Sequence, residues 1–508
     1  MTKATGLAPR RSRCSWLTGP PAWWLVAAIL VLGVLAFTPF DRGLEFDEAV
    51  QWSQSGGLGG PAPANPLAAS RENGNLGLIM VLRNLGLGLA GVRLGWAVIA
   101  LGGVLAAFWL AGRSTGRGVG PVAALIYGTF WITGLFYGSF YGSLLGGLSA
   151  VLATGAYLWL RDEADRPLLA GALLGLALSG MFAMRHLESA LVVVVFGLHA
   201  LTVDPRRWLS GRWRGLLSAG VVFGLTFVLP WSLWTIDRYG SVLARMRFAR
   251  AQGHPLALHN GLVEWAPLLL GDSVAYDPLT PLPVWPRLVL ALGWLLLTAG
   301  IVWLLIRRVQ ASAEAAPRPE RHVGLLFALL AVTMGFFFFV SGTERARYSL
   351  YALGFAALLA GQAVVALRAR MAGRGPGARR AALVAAVLLT VGWLGTQAVI
   401  VHAYQLSREL NGQRAASTGV VMRSLAGSEP CFGITPFGRT IFQTMSGCRV
   451  VDYVEGDRAT AAEQLAQGDR PVFLIDTDPQ PLGPDWLLIQ RPGTGGAVVY
   501  LYAHLPNR

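Results

Sequence analysis

The strongest constraint on this chain is a succession of apolar runs, each close to twenty residues long. They occupy 22–37, 92–110, 119–136, 143–160, 168–184, 189–203, 216–236, 288–306, 323–340, 348–367 and 381–401. A helix of about 20 apolar residues crosses the hydrocarbon core of a bilayer. The spacing therefore predicts a polytopic α-helical membrane protein with about eleven spans. Composition agrees. Only 14% of the 508 residues are charged and 54% are hydrophobic, against about a quarter charged in a soluble domain.

Arginines sort the loops into two sides. Met1 to Pro20 holds Lys3, Arg10, Arg11 and Arg13 and no acid, and reads as a basic cytoplasmic tail. Arg113 and Arg117, then Arg206, Arg207, Arg212 and Arg214, then Arg368, Arg370, Arg374, Arg379 and Arg380 fall in alternate loops. That is the positive-inside pattern. The formal charge of +15 is thus a topology signal, and no nucleic-acid partner is expected. No cleavage site follows the first run, so it counts as a span. An odd number of spans sends the C-terminus outside.

Three regions follow: the tail at 1–20, a transmembrane domain at 21–402 with outer loops at 41–91 and 237–286, and an outer domain at 403–508. In the last, β-like runs at 449–453, 472–475, 487–489 and 498–501 alternate with helical stretches at 417–426 and 459–467. This pattern predicts a small α/β domain. It contains Cys431 and Cys448, which an oxidising compartment would pair as a disulfide.

Chemistry-bearing residues concentrate in the outer turns. Asp47 and Glu48 follow the first span at the water interface, with Trp52 suited to headgroup depth. A carboxylate there can serve as a base for a substrate with a lipid tail and a polar head; solvated loop charges are the plainer reading. Arg185-His186-Leu187-Glu188 is a very short turn, so its charges sit at the bilayer edge, where they need partners. A local Arg185–Glu188 ion pair and a substrate-facing role for His186 or Glu188 are both open. A late turn carries Arg345, Arg347 and Tyr348 on the side where arginine is least expected. Guanidinium forks suit phosphate oxygens, and headgroup anchoring is the alternative. The long outer loop adds Arg245 and Arg250 on a basic amphipathic stretch, which attracts anionic substrate or lipid. His254, His259 and Glu264 match no zinc spacing, so no metal ligands are assigned; a divalent ion is possible but not indicated. P-loop and dinucleotide glycine patterns are absent.

Taken together, the layout resembles the GT-C superfamily of membrane glycosyltransferases, in its family-39-like branch of protein mannosyltransferases, aminoarabinose transferases and Rgt-type transferases. The resemblance lies in Phe46-Asp47-Glu48, the apolar stretch 75–89 with Gly91-Val92-Arg93-Leu94 and Gly112-Arg113, and Arg347-Tyr348-Ser349-Leu350. It implies a transferase of the bacterial inner membrane that takes a sugar from a polyprenyl-phosphate donor. The acceptor would be an envelope glycan, lipid or protein. It also implies Asp47 as catalytic base with Glu48 beside it, and Arg345, Arg347, Tyr348 and Arg93 at the donor phosphate. Two features depart from the family pattern. The turn 137–142 lacks the usual acid and Arg-x-Tyr, and Leu350 is followed by Tyr351 instead of proline. A lipid-linked glycan transporter or a non-catalytic assembly scaffold is the rival class.

Overall fold

The computed structural model describes residues 19–40, 73–116, 118–162, 165–203, 205–250, 284–310, 322–340, 349–435, 446–452, 458–476, 479–491 and 499–506. Proline opens α1 (Pro20–Phe37), where the missing N–H has no intrahelical partner to lose. A short helix α2 (Asn73–Asn84) precedes α3 (Leu89–Thr115). Then come α4 (Val119–Thr129), α5 (Trp131–Phe136), α6 (Gly142–Asp162), α7 (Pro167–Met184) and α8 (His186–Val203). A π-helical turn, Gly224–Val228, joins α9 (Trp213–Phe223) to α10 (Leu229–Tyr239). The remaining helices of the bundle are α11 (Val242–Arg250), α12 (Val284–Gln310), α13 (Val323–Phe339), α14 (Leu350–Ala372) and α15 (Pro376–Ala426).

Among the described residues, nine helical stretches are long and apolar enough to cross a membrane, and Val119–Thr129 and Val323–Phe339 are shorter apolar helices. Together they match the eleven runs of the sequence. Helices α6 and α14 are enclosed by the others, whereas α1, α12 and α15 present Leu32, Leu295 and Leu388 outward, as a lipid solvent requires. Small residues set the closest crossings. A Cβ on Gly171 would lie within 3 Å of the Gly215 backbone, and one on Gly112 would meet Gly120.

The third run departs from a simple span. The periodicity predicts one helix over 119–136, but the chain extends at Phe130 (φ −62°, ψ 135°) and splits α4 from α5. Two of the freed backbone groups find side-chain partners. Tyr137 Oη donates to the Gly128 carbonyl at 3.2 Å, and the Trp131 N–H donates to Gln397 Oε1 of α15 at 2.8 Å. A break inside a bilayer stands only when its polar groups are satisfied in this way.

Beyond the bundle lies a five-stranded sheet: β1 (Phe432–Thr435), β2 (Arg449–Asp452), β3 (Val472–Asp476), β4 (Trp486–Gln490) and β5 (Tyr500–His504). The order is β2-β1-β3-β5-β4, with β2, β1 and β3 parallel and β5 antiparallel to both β3 and β4. Alternation in β3 splits its side chains between two faces. Phe473 and Ile475 pack with Met422 and Ala426 from the end of α15, while Leu474 packs with Ile434, Tyr502 and Ala462 of α16 (Arg458–Ala466). The sequence boundary at 403 therefore falls inside one continuous helix. The strand β1 is short and glycine-containing, which hides it from a pattern reading. Cys431 and Cys448 form a disulfide across the starts of β1 and β2.

Candidate active site

The ends of several helices converge at one end of the bundle, here termed the upper end. It lies on the side away from the arginine-rich loops. Its floor is the turn 137–141, which α5 delivers. Asn75 of α2 donates through Nδ2 to the Phe140 carbonyl at 3.3 Å. Arg93 of α3 is fully buried, and its guanidinium lies 5.9 Å from the Phe140 ring. The same group donates to the Phe40 carbonyl at 3.1 Å. Trp96, one turn on, meets Phe140 edge-on at 6.0 Å. Gly142 closes the turn, where a Cβ would stand 2.7 Å from Asn75 Oδ1 and 3.0 Å from the Met184 carbonyl. No other residue would let α2, α6 and α7 approach this closely.

Beside this floor, α7 ends and α8 begins. The structure places His186, Leu187 and Glu188 in the first turn of α8, where the sequence suggested a loop. A carboxylate near a helix N-terminus is favoured by the exposed N–H groups. Arg185 Nε donates to Glu188 Oε1 at 2.8 Å, and the carboxylate is almost completely buried. Ser189 donates back to the Arg185 carbonyl and lies 3.4 Å from Tyr351 Oη of α14. Tyr351 in turn donates to the Met181 carbonyl at 3.3 Å. The start of α14 is thereby tied to the α7–α8 junction.

His186 faces an aromatic column. Phe223, Phe227 and Trp231 stack at 5.4 and 6.0 Å along the π-helical turn, and His186 meets Phe227 and Trp231 at 5.6 Å each. Gly240, with φ +77°, turns the chain back so that α11 packs on α10. That reversal inserts Arg245 between Trp231 and Trp234 at 5.2 and 5.3 Å, near Tyr239, with Thr235 Oγ1 accepting at 3.2 Å. Arg245 is buried, so its charge is engaged by rings and a hydroxyl. Arg250 closes α11. Asp47, Glu48, Arg345, Arg347 and Tyr348 lie outside the described residues, as do His254, His259 and Glu264. Among the described residues, no group of three or more His, Cys, Asp and Glu side chains could hold a metal ion.

Sequence reasoning singled out Arg93, His186, Glu188 and Arg245 but passed over Asn75, Ser189, Tyr351 and Gln397. A polar side chain inside or at the mouth of an apolar run was the available signal for each.

No family model matches the chain, and no curated protein matches it either. Solved structures do. ArnT from Cupriavidus metallidurans in the apo state superposes with a TM-score of 0.59 at 16% identity, over 95% of this chain and 98% of that one. The same protein bound to undecaprenyl phosphate gives 0.60 at 15%, over 96% and 99%. The Archaeoglobus fulgidus oligosaccharyltransferase, tethered to an acceptor peptide, gives 0.60 at 10%, over 91% of this chain and 69% of that one. These superpositions show that the chain shares the fold of ArnT and of the Archaeoglobus fulgidus oligosaccharyltransferase.

Proposed function

We propose that the chain is a membrane glycosyltransferase of the bacterial inner membrane. In this reading it moves a sugar from a polyprenyl-phosphate donor to an envelope lipid, polysaccharide or protein at the upper, periplasmic end of the bundle. One observation carries it. The segment holding Asp47 and Glu48 leaves from Phe40, which Arg93 grips, and the segment holding Arg345, Arg347 and Tyr348 joins α14 just before Tyr351. Both segments are rooted in one cluster. A lipid phosphate bound to the structurally similar ArnT supports the same donor class.

The chemistry that fits is a single displacement. Asp47, with Glu48 as helper or alternative, takes the proton of an acceptor hydroxyl as its oxygen bonds to the anomeric carbon. The bond from that carbon to the phosphate oxygen breaks, and the phosphate leaves with the electron pair. Arg345, Arg347 and Tyr348 hold the phosphate and stabilise its charge. One base on the attacking face gives inversion, by analogy with inverting glycosidases. Arg93 fits a positioning role better than a phosphate role, because it is buried and bonded to backbone. The Arg185–Glu188 pair and the Arg245 cage fit the role of supports for this end.

The test is sugar transfer by purified protein in liposomes, supplied with labelled polyprenyl-phosphate sugars and envelope acceptors. Transfer that depends on Asp47 is the expected result. A transporter is the second reading, since broken helices are common in such folds. The described partners of the Phe130 break are neutral, which weighs against an ion or substrate site there. Movement of donor lipid between leaflets without sugar transfer would favour the transporter; inactivity in both assays would favour a scaffold.

A further inference from the structure

One continuous helix, α15, contributes both to the sheet domain and to the membrane bundle. Its last turn forms part of the sheet domain's core through Met422 and Ala426. Its membrane part holds the helix break at Phe130. Trp393 stacks on Phe130 at 5.7 Å and donates from Nε1 to Thr129 Oγ1 at 3.3 Å. Gln397 Oε1 accepts from the freed Trp131 N–H, and Tyr404 stacks on Trp131 at 5.2 Å with the rings 11° apart. A Cβ on Gly134 would lie 2.9 Å from Val401. Residues 393, 397, 401 and 404 recur every three or four positions, so one face of α15 reads the whole break.

From the break, α5 runs only six residues to the turn whose Phe140 meets Arg93 and Asn75. The joint is polar and buried. Trp131 Nε1, Thr133 Oγ1 and Gln397 Nε2 have no protein hydrogen-bond partner in it. The Gln397–Trp131 bond is a side-chain hydrogen bond that fixes the first turn of α5 to α15. Buried amides missing their partner seek water or a new geometry.

We infer that Gln397 is a positioning residue for transfer: it caps the broken helix from outside, sets the position of α5, and so sets Phe140 beneath Arg93. It also gives the sheet domain a mechanical route to the site through α15. This rests on reading the upper end as the transfer site.

The experiment uses the full chain in nanodiscs and two variants. Gln397→Met keeps the length of the side chain but removes the acceptor. Gln397→Glu, protonated when buried, keeps an acceptor oxygen. Hydrogen exchange over residues 130–141 and steady-state transfer are measured for each. For Gln397→Met we expect exchange at Trp131 and the turn to rise about tenfold and kcat to fall about tenfold, with donor KM unchanged. Gln397→Glu should restore both. Unchanged exchange in Gln397→Met, or raised exchange with unchanged kcat, would overturn the positioning role. The exchange arm needs no turnover. If wild-type protein transfers no sugar, the transferase reading fails by itself, and the exchange data still decide whether Gln397 holds α5.

Discussion

Arg185 closes on Glu188 one helical turn away, and the pair stands where α7 hands over to α8. Glu188 is buried, while Arg185 keeps contact with solvent. Glu188→Ala should therefore leave a charge without its partner and cost about 3 kcal/mol, the low end for a buried pair because Arg185 can rehydrate. Replacing both residues with methionine should cost less than the single change. Thermal unfolding in detergent measures both, and equal losses would mean that the pair contributes through packing alone.

Arg93 separates two roles by kinetics. It donates to the Phe40 carbonyl at the exit of α1. As a positioning group, Arg93→Met should lower kcat by about tenfold or more and leave donor KM within a few-fold. A rise in donor KM with kcat intact would return Arg93 to the phosphate.

The base and the donor clamp separate in the same way. Asp47→Asn keeps shape and a hydrogen-bonding oxygen but takes no proton. Turnover should fall about 10²–10⁴-fold with donor binding retained. Arg347→Ala should instead weaken donor binding by about 1.5–3 kcal/mol, the worth of a charge-assisted hydrogen bond. Titration with a polyprenyl phosphate distinguishes them. Full activity in both Asp47→Asn and Glu48→Gln would remove the active site from this stretch.

The Cys431–Cys448 bond spans 17 residues, and a loop of that size is worth about 3 kcal/mol. Reduction, or Cys431→Ser with Cys448→Ser, should lower the unfolding temperature of the sheet domain and leave the bundle transition in place. On the proposed periplasmic placement of this domain, a C-terminal phosphatase fusion should be active, and an inactive fusion would overturn that placement.

The spans were legible because lipid enforces one rule on every helix, and a run such as 143–160 reports it directly. Pairing in the outer turns was half legible. The Arg185–Glu188 spacing suggested the ion pair that forms, yet His186 gave no hint of Phe227 and Trp231, which come from a helix some forty residues later. Arg245 looked like a free cation because the sequence shows its charge but not the reversal at Gly240 that buries it. The break at Phe130 was hidden for a related reason. The one proline of the 119–136 run, Pro121, stands in the first turn of α4 and far from the break, and the bond that satisfies the Trp131 N–H comes from Gln397, 266 positions away. Local propensity cannot report a cap supplied from so far along the chain.

Because α15 runs unbroken from Pro376 to Ala426, the order of synthesis acquires a meaning. The last span and its outer extension leave the ribosome before any strand of the sheet exists. Met422 and Ala426 must then wait, uncovered, until β3 and β5 arrive to bury them. The sheet thus condenses onto the end of an already inserted helix. A chain that stops near residue 430 would expose that apolar stripe to quality control, and a fragment that starts there would lack one wall of its own core.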